Sequence, residues 1–124
     1  MTAIREVMTE RLVTVEPATS VAAAVTVMGI QGVGAVLVMD KTRLEGIFTE
    51  RDLVRAFSHA IGASGEPVAQ WMTKNPITVG PETPVEQALE RMLAGNFRHL
   101  PVMEGERVVG VVSIRDLSRA TLHE

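Results

Sequence analysis

Gly46-Ile47-Phe48-Thr49-Glu50-Arg51-Asp52 is answered, 64 residues further on (110 minus 46), by Gly110-Val111-Val112-Ser113-Ile114-Arg115-Asp116. Both stretches run from a glycine through two apolar residues to a hydroxyl, and set a carboxylate three residues beyond it. The same register, with no gap, pairs Met8-Thr9 with Met72-Thr73, Thr14-Val15 with Thr78-Val79, and Pro17-x-Thr19-x-Val21 with Pro81-x-Thr83-x-Val85. It also pairs Met28 with Met92, Val38-Met39 with Val102-Met103, and Leu53 with Leu117. Two related copies therefore occupy nearly the whole chain. The period exceeds the roughly 20 to 50 residues of stacking arrays, which points to a duplicated α/β unit closed about a pseudo-twofold and not to a solenoid.

Each copy reads as a short strand, a helix, a strand, a turn, a strand and a helix. In the second copy Ile77 to Val79 is a brief β-prone segment. Thr83-Pro84-Val85-Glu86 then predicts a helix start, with Thr83 as cap, Pro84 at the first helical position and Glu86 closing a capping box. Val85, Ala88, Leu89, Met92 and Leu93 form one apolar stripe opposite Glu86, Gln87, Glu90 and Arg91, as expected of a helix with a wet face. The first-copy helix, Val21 to Ile30, has Ala22, Ala23, Thr26 and Val27 at those polar positions. A helix apolar all round is expected to be covered on both sides, which makes Val21 to Ile30 the predicted interface of a homodimer.

His99 to Met103 and Val108 to Ser113 read as a strand pair turning through Glu104-Gly105-Glu106. Ala35 to Met39 and Leu44 to Thr49 are its first-copy equivalent. The run Val108-Val109-Gly110-Val111-Val112 suits a strand covered on both faces. Gly62-Ala63-Ser64-Gly65 is the one evident linker, too short to separate independent domains. The expected organisation is a first repeat over residues 3–57, a linker over 58–66 and a second repeat over 67–121.

Composition excludes several functions. With 46% hydrophobic and 22% charged residues the chain is ordinary globular material, large enough for a core. No cysteine is present, which removes disulfides and thiolate metal sites. The net charge of −3 comes without a basic run, so nucleic acid is not an expected partner. Ser20 to Met39 carries no charge, but its counterpart Pro84 to Met103 contains Glu86, Glu90, Arg91 and Arg98, so no membrane span is expected. The opening residues lack the apolar core of a secretory signal, and a cytoplasmic location is expected. His59, His99 and His123 show no metal-ligand spacing, and there is no P-loop.

The chemistry lies in the duplicated stretch. Its glycine would let a ligand approach the strand, and the following helix N-terminus would offer N–H groups to an anion. The hydroxyl suits a phosphate and the carboxylate a ribose diol. The same spacing also suits two helix caps with no ligand at all. A hydrolase set can be drawn from Ser113, Asp116 and His99, but His99 aligns with Ala35 in the first copy and no Gly-x-Ser-x-Gly elbow is present. Enzyme activity is not expected.

The whole pattern, Met-Thr, a Thr-Val strand, Pro-x-Thr-x-Val, Leu100-Pro101-Val102 and the two Gly-to-Asp motifs, resembles a tandem pair of cystathionine β-synthase (CBS) domains, the Bateman module. The resemblance implies an α+β fold in which two β-α-β-β-α repeats pack sheet to sheet with pseudo-twofold symmetry. It implies a regulatory module that requires no cofactor, senses an adenine nucleotide (AMP-, ADP- or ATP-like) in clefts between the repeats, and transmits occupancy to an effector protein. Carried over residue by residue, it gives one site of Gly46, Thr49, Asp52, Asn75, Ile77, Arg98 and His99, and a second of Arg11, Val13, Gly34, Ala35, Gly110, Ser113 and Asp116. Arg98 and His99 stand where the other copy has Gly34 and Ala35, so the Asp52 site is expected to bind phosphate more tightly. The alternative is a ligand-free dimerisation module.

Overall fold

The computed structural model describes residues 1–122, so His123 lies outside the described residues. The order is β1 (Thr14–Val15), α1 (Val21–Gln31), β2 (Ala35–Asp40), β3 (Arg43–Thr49) and α2 (Glu50–His59), then β4 (Thr73–Lys74), α3 (Val85–Gly95), β5 (His99–Glu104), β6 (Arg107–Ser113) and α4 (Ile114–Leu122). The fold is α+β with two repeats of strands and helices.

The chain divides into two compact units, Val13–Pro76 and Met1–Leu12 together with the chain from Ile77 onward. These cuts are out of phase with the sequence copies. Each unit takes its leading segment, the Met-Thr stretch, from the other copy.

In the unit Val13–Pro76 the sheet order is β1-β2-β3-β4. β1 runs parallel to β2, β2 and β3 form an antiparallel hairpin, and β4 joins β3 antiparallel with Ile47 opposite Thr73. In the other unit β5 and β6 form the hairpin, flanked by a parallel bridge from Val79 to Val102 and an antiparallel bridge from Thr9 to Val111. The strand expected at Ile77 to Val79 is reduced to that single bridge.

The two cores repeat the offset. Val15, Val21, Ala24, Met28, Val36, Val38, Phe48 and Val68 cluster in one, while Val79, Val85, Ala88, Met92, Leu100, Val102, Val112 and Ile4 occupy the corresponding places in the other. Ile4 and Val68, both fully buried, are the plugs supplied by the leading segments. Burying a side chain of this size contributes roughly 1.5–3 kcal/mol, so each leading segment is anchored by its apolar residue as well as by its bridge.

α1 starts at Ser20, whose Oγ accepts from the Ala23 N–H at 3.1 Å, and ends at Gly32 with φ 67°. α3 ends equivalently at Asn96 with φ 58°, the other residue type that tolerates this left-handed conformation. Its start differs from expectation. Pro84 is the cap and has no side-chain capping bond, because Thr83 Oγ1 instead accepts from the Gly80 N–H at 3.0 Å and closes the preceding turn.

One further expectation is corrected, the two-sided cover of β6. α1 buries Val21, Ala24 and Met28, while Ala22, Ala23, Thr26 and Ile30 are exposed, so its second apolar face is open in the single chain. β6 alternates, with Val108, Gly110 and Val112 buried but Val109 and Val111 only half-buried, since one face of the strand meets the core. Gly62 to Gly65 belongs to a 3-10 turn, Ile61–Gly65, that buries Ala63 and is not a free tether. Among the described residues no helix is long and apolar enough to cross a membrane.

Candidate functional site

Each duplicated motif begins on a strand and ends in the first turn of a helix. Gly46 lies on β3 and Gly110 on β6. The close approach they permit is made by the protein's own chain. A Cβ on Gly46 would stand 2.6 Å from the Thr73 carbonyl oxygen and 2.7 Å from Met72 Sδ, and one on Gly110 would stand 2.7 Å from Met8 Sδ and 2.9 Å from the Thr9 carbonyl oxygen. The glycine expected to admit a ligand therefore admits Met-Thr, which explains why the two signatures recur together.

Thr49 and Asp52 lock the start of α2. The Thr49 N–H and hydroxyl donate to Asp52 Oδ2 at 3.0 and 3.1 Å, while the Asp52 N–H donates to Thr49 Oγ1 at 3.3 Å. Ser113 and Asp116 repeat this at α4, with bonds of 3.0 and 3.1 Å between the Ser113 N–H and Asp116 Oδ2 and between the Asp116 N–H and Ser113 Oγ. The next amide along is also engaged: Glu50 N–H donates to the Gly34 carbonyl at 3.1 Å, and Ile114 N–H to the Arg98 carbonyl at 2.8 Å. Two N–H groups of each helix N-terminus are thus engaged inside the protein. What each motif presents is a fixed hydroxyl–carboxylate pair.

The two carboxylates differ in cover. Asp52 is 5% exposed, the one buried charged residue among those described, whereas Asp116 is half-exposed. Arg55, one turn further along α2, makes an ion pair with Asp52 Oδ1 at 3.5 Å. Its guanidinium lies 5.6 Å from the centre of the Trp71 ring and donates to the Trp71 carbonyl. Trp71 Nε1 donates to Glu66 Oε2 at 2.9 Å, and the His59 ring stands 6.0 Å away at a tilt of 51°. In the other unit Val7, Asp116, Arg119 and Ala120, the counterparts of Trp71, Asp52, Arg55 and Ala56, line an open pocket of about 300 Å3. It is a shallow depression, largely open to solvent.

The remaining residues expected at the first site divide between the units. Asn75, with φ 48°, follows β4 directly and lies in the unit of Gly46, Thr49 and Asp52. Ile77, Arg98 and His99 belong to the other unit, with Ile77 and Arg98 exposed and His99 opposite Ser113 in the β5–β6 register. Of the second set, Arg11 is exposed in the unit of Gly110, Ser113 and Asp116. Val13 and Ala35 lie in Val13–Pro76, where the Val13 carbonyl accepts from Leu37 N–H at 3.0 Å and Ala35 stands opposite Thr49. Arg55 escaped the sequence reading, although the Asp-x-x-Arg spacing at Asp52/Arg55 and Asp116/Arg119 is its signal. Among the described residues no cluster of His, Asp and Glu suits a metal ion.

The CBS domain family model matches this chain twice, over residues 4–59 and 68–123. An uncharacterized 17.7 kDa protein of Acidianus ambivalens is 39% identical over 123 residues, 98% of this chain and 74% of the relative. Longer plant relatives contain the match as about a fifth of their length. The crystal structure of a CBS-domain containing protein from Agrobacterium tumefaciens superposes with a TM-score of 0.92 at 36% identity, covering 97% of this chain and 99% of that one. CBSX2, solved in complex with AMP, superposes with a TM-score of 0.83 at 29% identity over 98% of this chain and 96% of that one.

Proposed function

Because the chain belongs to the CBS domain family, with two domains spanning most of its length, we propose that it is a regulatory module that binds an adenine nucleotide and passes its occupancy to a partner. The observation that carries this reading is the duplicated hydroxyl–carboxylate pair, Thr49 with Asp52 and Ser113 with Asp116, each locked at a helix start. A carboxylate held by its own backbone is already oriented to accept a ribose diol, and the hydroxyl beside it suits a phosphate oxygen. The AMP complex of CBSX2 supports the choice of ligand class. Asn75, Ile77, Arg98 and His99 complete the proposed Asp52 set, and Arg11, Val13 and Ala35 the Asp116 set. Regulation requires that the nucleotide bind two states of the module unequally. No group in the proposal performs catalysis.

A second reading, dimerisation without a ligand, draws on two observations. The exposed face of α1, with Ile30 77% exposed, is apolar enough for a second copy, and the capping boxes are complete without any ligand. The two readings separate in one experiment. A thermal-shift panel of AMP, ADP and ATP on the purified protein, with light scattering for mass, gives ligand-dependent stabilisation under the nucleotide reading. Under the dimerisation reading it gives a dimer whose melting ignores every nucleotide.

A further inference from the structure

The motif carboxylates are chemically the same but are not held the same way. Around Asp52 the chain builds a layered contact: Asp52 Oδ1 to Arg55, Arg55 across the Trp71 ring and onto its carbonyl, and the indole N–H to Glu66. Asp52 and Ala56 are buried beneath it. At the corresponding place in the other unit the indole is replaced by Val7, the small side chain leaves the pocket of about 300 Å3 open, and Asp116 and Ala120 are half-exposed. Trp71 is the single tryptophan of the chain.

We propose that Arg55, braced by Trp71, is the positioning residue of the Asp52 carboxylate, so that the Asp52 motif is latched while the Asp116 motif is open. The inference rests on the nucleotide reading above and specifies how its two motifs differ. A guanidinium resting on an aromatic face loses less freedom when it also grips a carboxylate, because its plane is already fixed. Asp52 Oδ2 is committed to the Thr49 amide and hydroxyl, so Arg55 governs the orientation of the remaining oxygen, Oδ1. A ribose hydroxyl donating to Oδ1 shares with Arg55 an oxygen that has room for both donors, and its arrival shifts the guanidinium over the indole. Occupancy at Asp52 therefore reports in Trp71 emission, and occupancy at Asp116 does not.

The test titrates AMP into the full chain, followed in parallel by calorimetry and by tryptophan emission, for the wild type and for Arg55→Ala, Arg55→Lys and Asp116→Ala. In the wild type and in Asp116→Ala, emission changes in step with binding at Asp52. In Arg55→Ala that event weakens by about tenfold, the scale of one charge-assisted contact, and its emission response disappears. Arg55→Lys, which keeps the charge but not the planar group that rests on the indole, recovers only part of the affinity, a graded rescue that general loss of structure would not give. Binding heat in the wild type without any emission change overturns the inference alone, as does an Arg55→Ala protein with unaltered affinity and response. No binding heat in the wild type overturns the nucleotide reading, and this inference with it.

Discussion

The Cα of Gly46 and the carbonyl oxygen of Thr73 are so close that a methyl group on the glycine would stand 2.6 Å from that oxygen. The contact fixes β4 against β3, and the same relationship recurs between Gly110 and Thr9 at 2.9 Å. Backbone cannot yield as a flexible side chain can, so Gly46→Ala should cost about 1–3 kcal/mol, the range for overpacking a close-packed site. Gly110→Ala should fall in the same range. Urea denaturation of both variants checks this, and a loss under about 0.5 kcal/mol at either position would mean that the leading segment repositions freely.

Ile4 is wholly buried in a core whose other buried residues all lie beyond Pro76. Its truncation leaves a cavity far in sequence from the rest of that cluster. Ile4→Ala should lower stability by about 2–5 kcal/mol by denaturant titration, although it lies in a leading segment outside the helices and hairpin of that core.

Asp52 and Asp116 each complete a capping box at a helix start, so each alanine variant should lose about 1 kcal/mol without ligand. The loss should be larger at Asp52, where the removed carboxylate also accepts from Thr49 and from Arg55 in buried surroundings. Melting curves of the two variants side by side read this difference directly, and equal losses would show that the extra cover of Asp52 carries no energy.

Arg98 stands where the first copy has Gly34, and Arg11 of the other proposed set stands where the second copy has Asn75, so the two proposed nucleotide sets place their arginine differently. One charge-assisted bond contributes roughly 1.5–3 kcal/mol, equivalent to about 10- to 150-fold in affinity. Arg98→Ala should bring the tighter of two calorimetric affinities toward the weaker. The same pair of affinities in wild type and variant would remove Arg98 from the site.

Ile30 projects from the exposed apolar face of α1 at 77% exposure. A charge placed within a buried apolar interface is strongly unfavourable. Ile30→Glu should therefore halve the mass measured by light scattering while leaving the circular dichroism of the folded chain nearly unchanged. A wild-type chain that is already monomeric would contradict the interface.

Much of the fold was legible because the sequence states it twice. Hydrophobic periodicity located α1 and α3 to within a residue or two, and the hairpins β2–β3 and β5–β6 followed from paired apolar runs, the second pair broken at Glu104-Gly105-Glu106. The leading segments were not legible. Nothing local in Met8-Thr9 or Met72-Thr73 says which copy's glycine it packs against, since that partner is chosen by tertiary contact and not by spacing. The Thr83 cap failed for a similar reason: a threonine can close the turn before a helix as readily as the helix itself, and here it bonds Gly80. At the candidate site the hydroxyl and carboxylate were evident from spacing alone. The engagement of Glu50 and Ile114 N–H by the carbonyls of Gly34 and Arg98 was not, because those partners lie on other elements.

The central claim, that the duplicated hydroxyl–carboxylate pairs hold an adenine nucleotide, is tested most directly by isothermal calorimetry of AMP against the wild type and the Asp52→Ala/Asp116→Ala double variant. The account predicts saturable heat in the wild type and none in a double variant whose circular dichroism still shows the α+β fold. At 100 times the dissociation constant the nucleotide should also add about 2.7 kcal/mol to wild-type stability and nothing to the variant. Binding of equal affinity in a folded double variant, or none in the wild type with AMP, ADP or ATP, would contradict it.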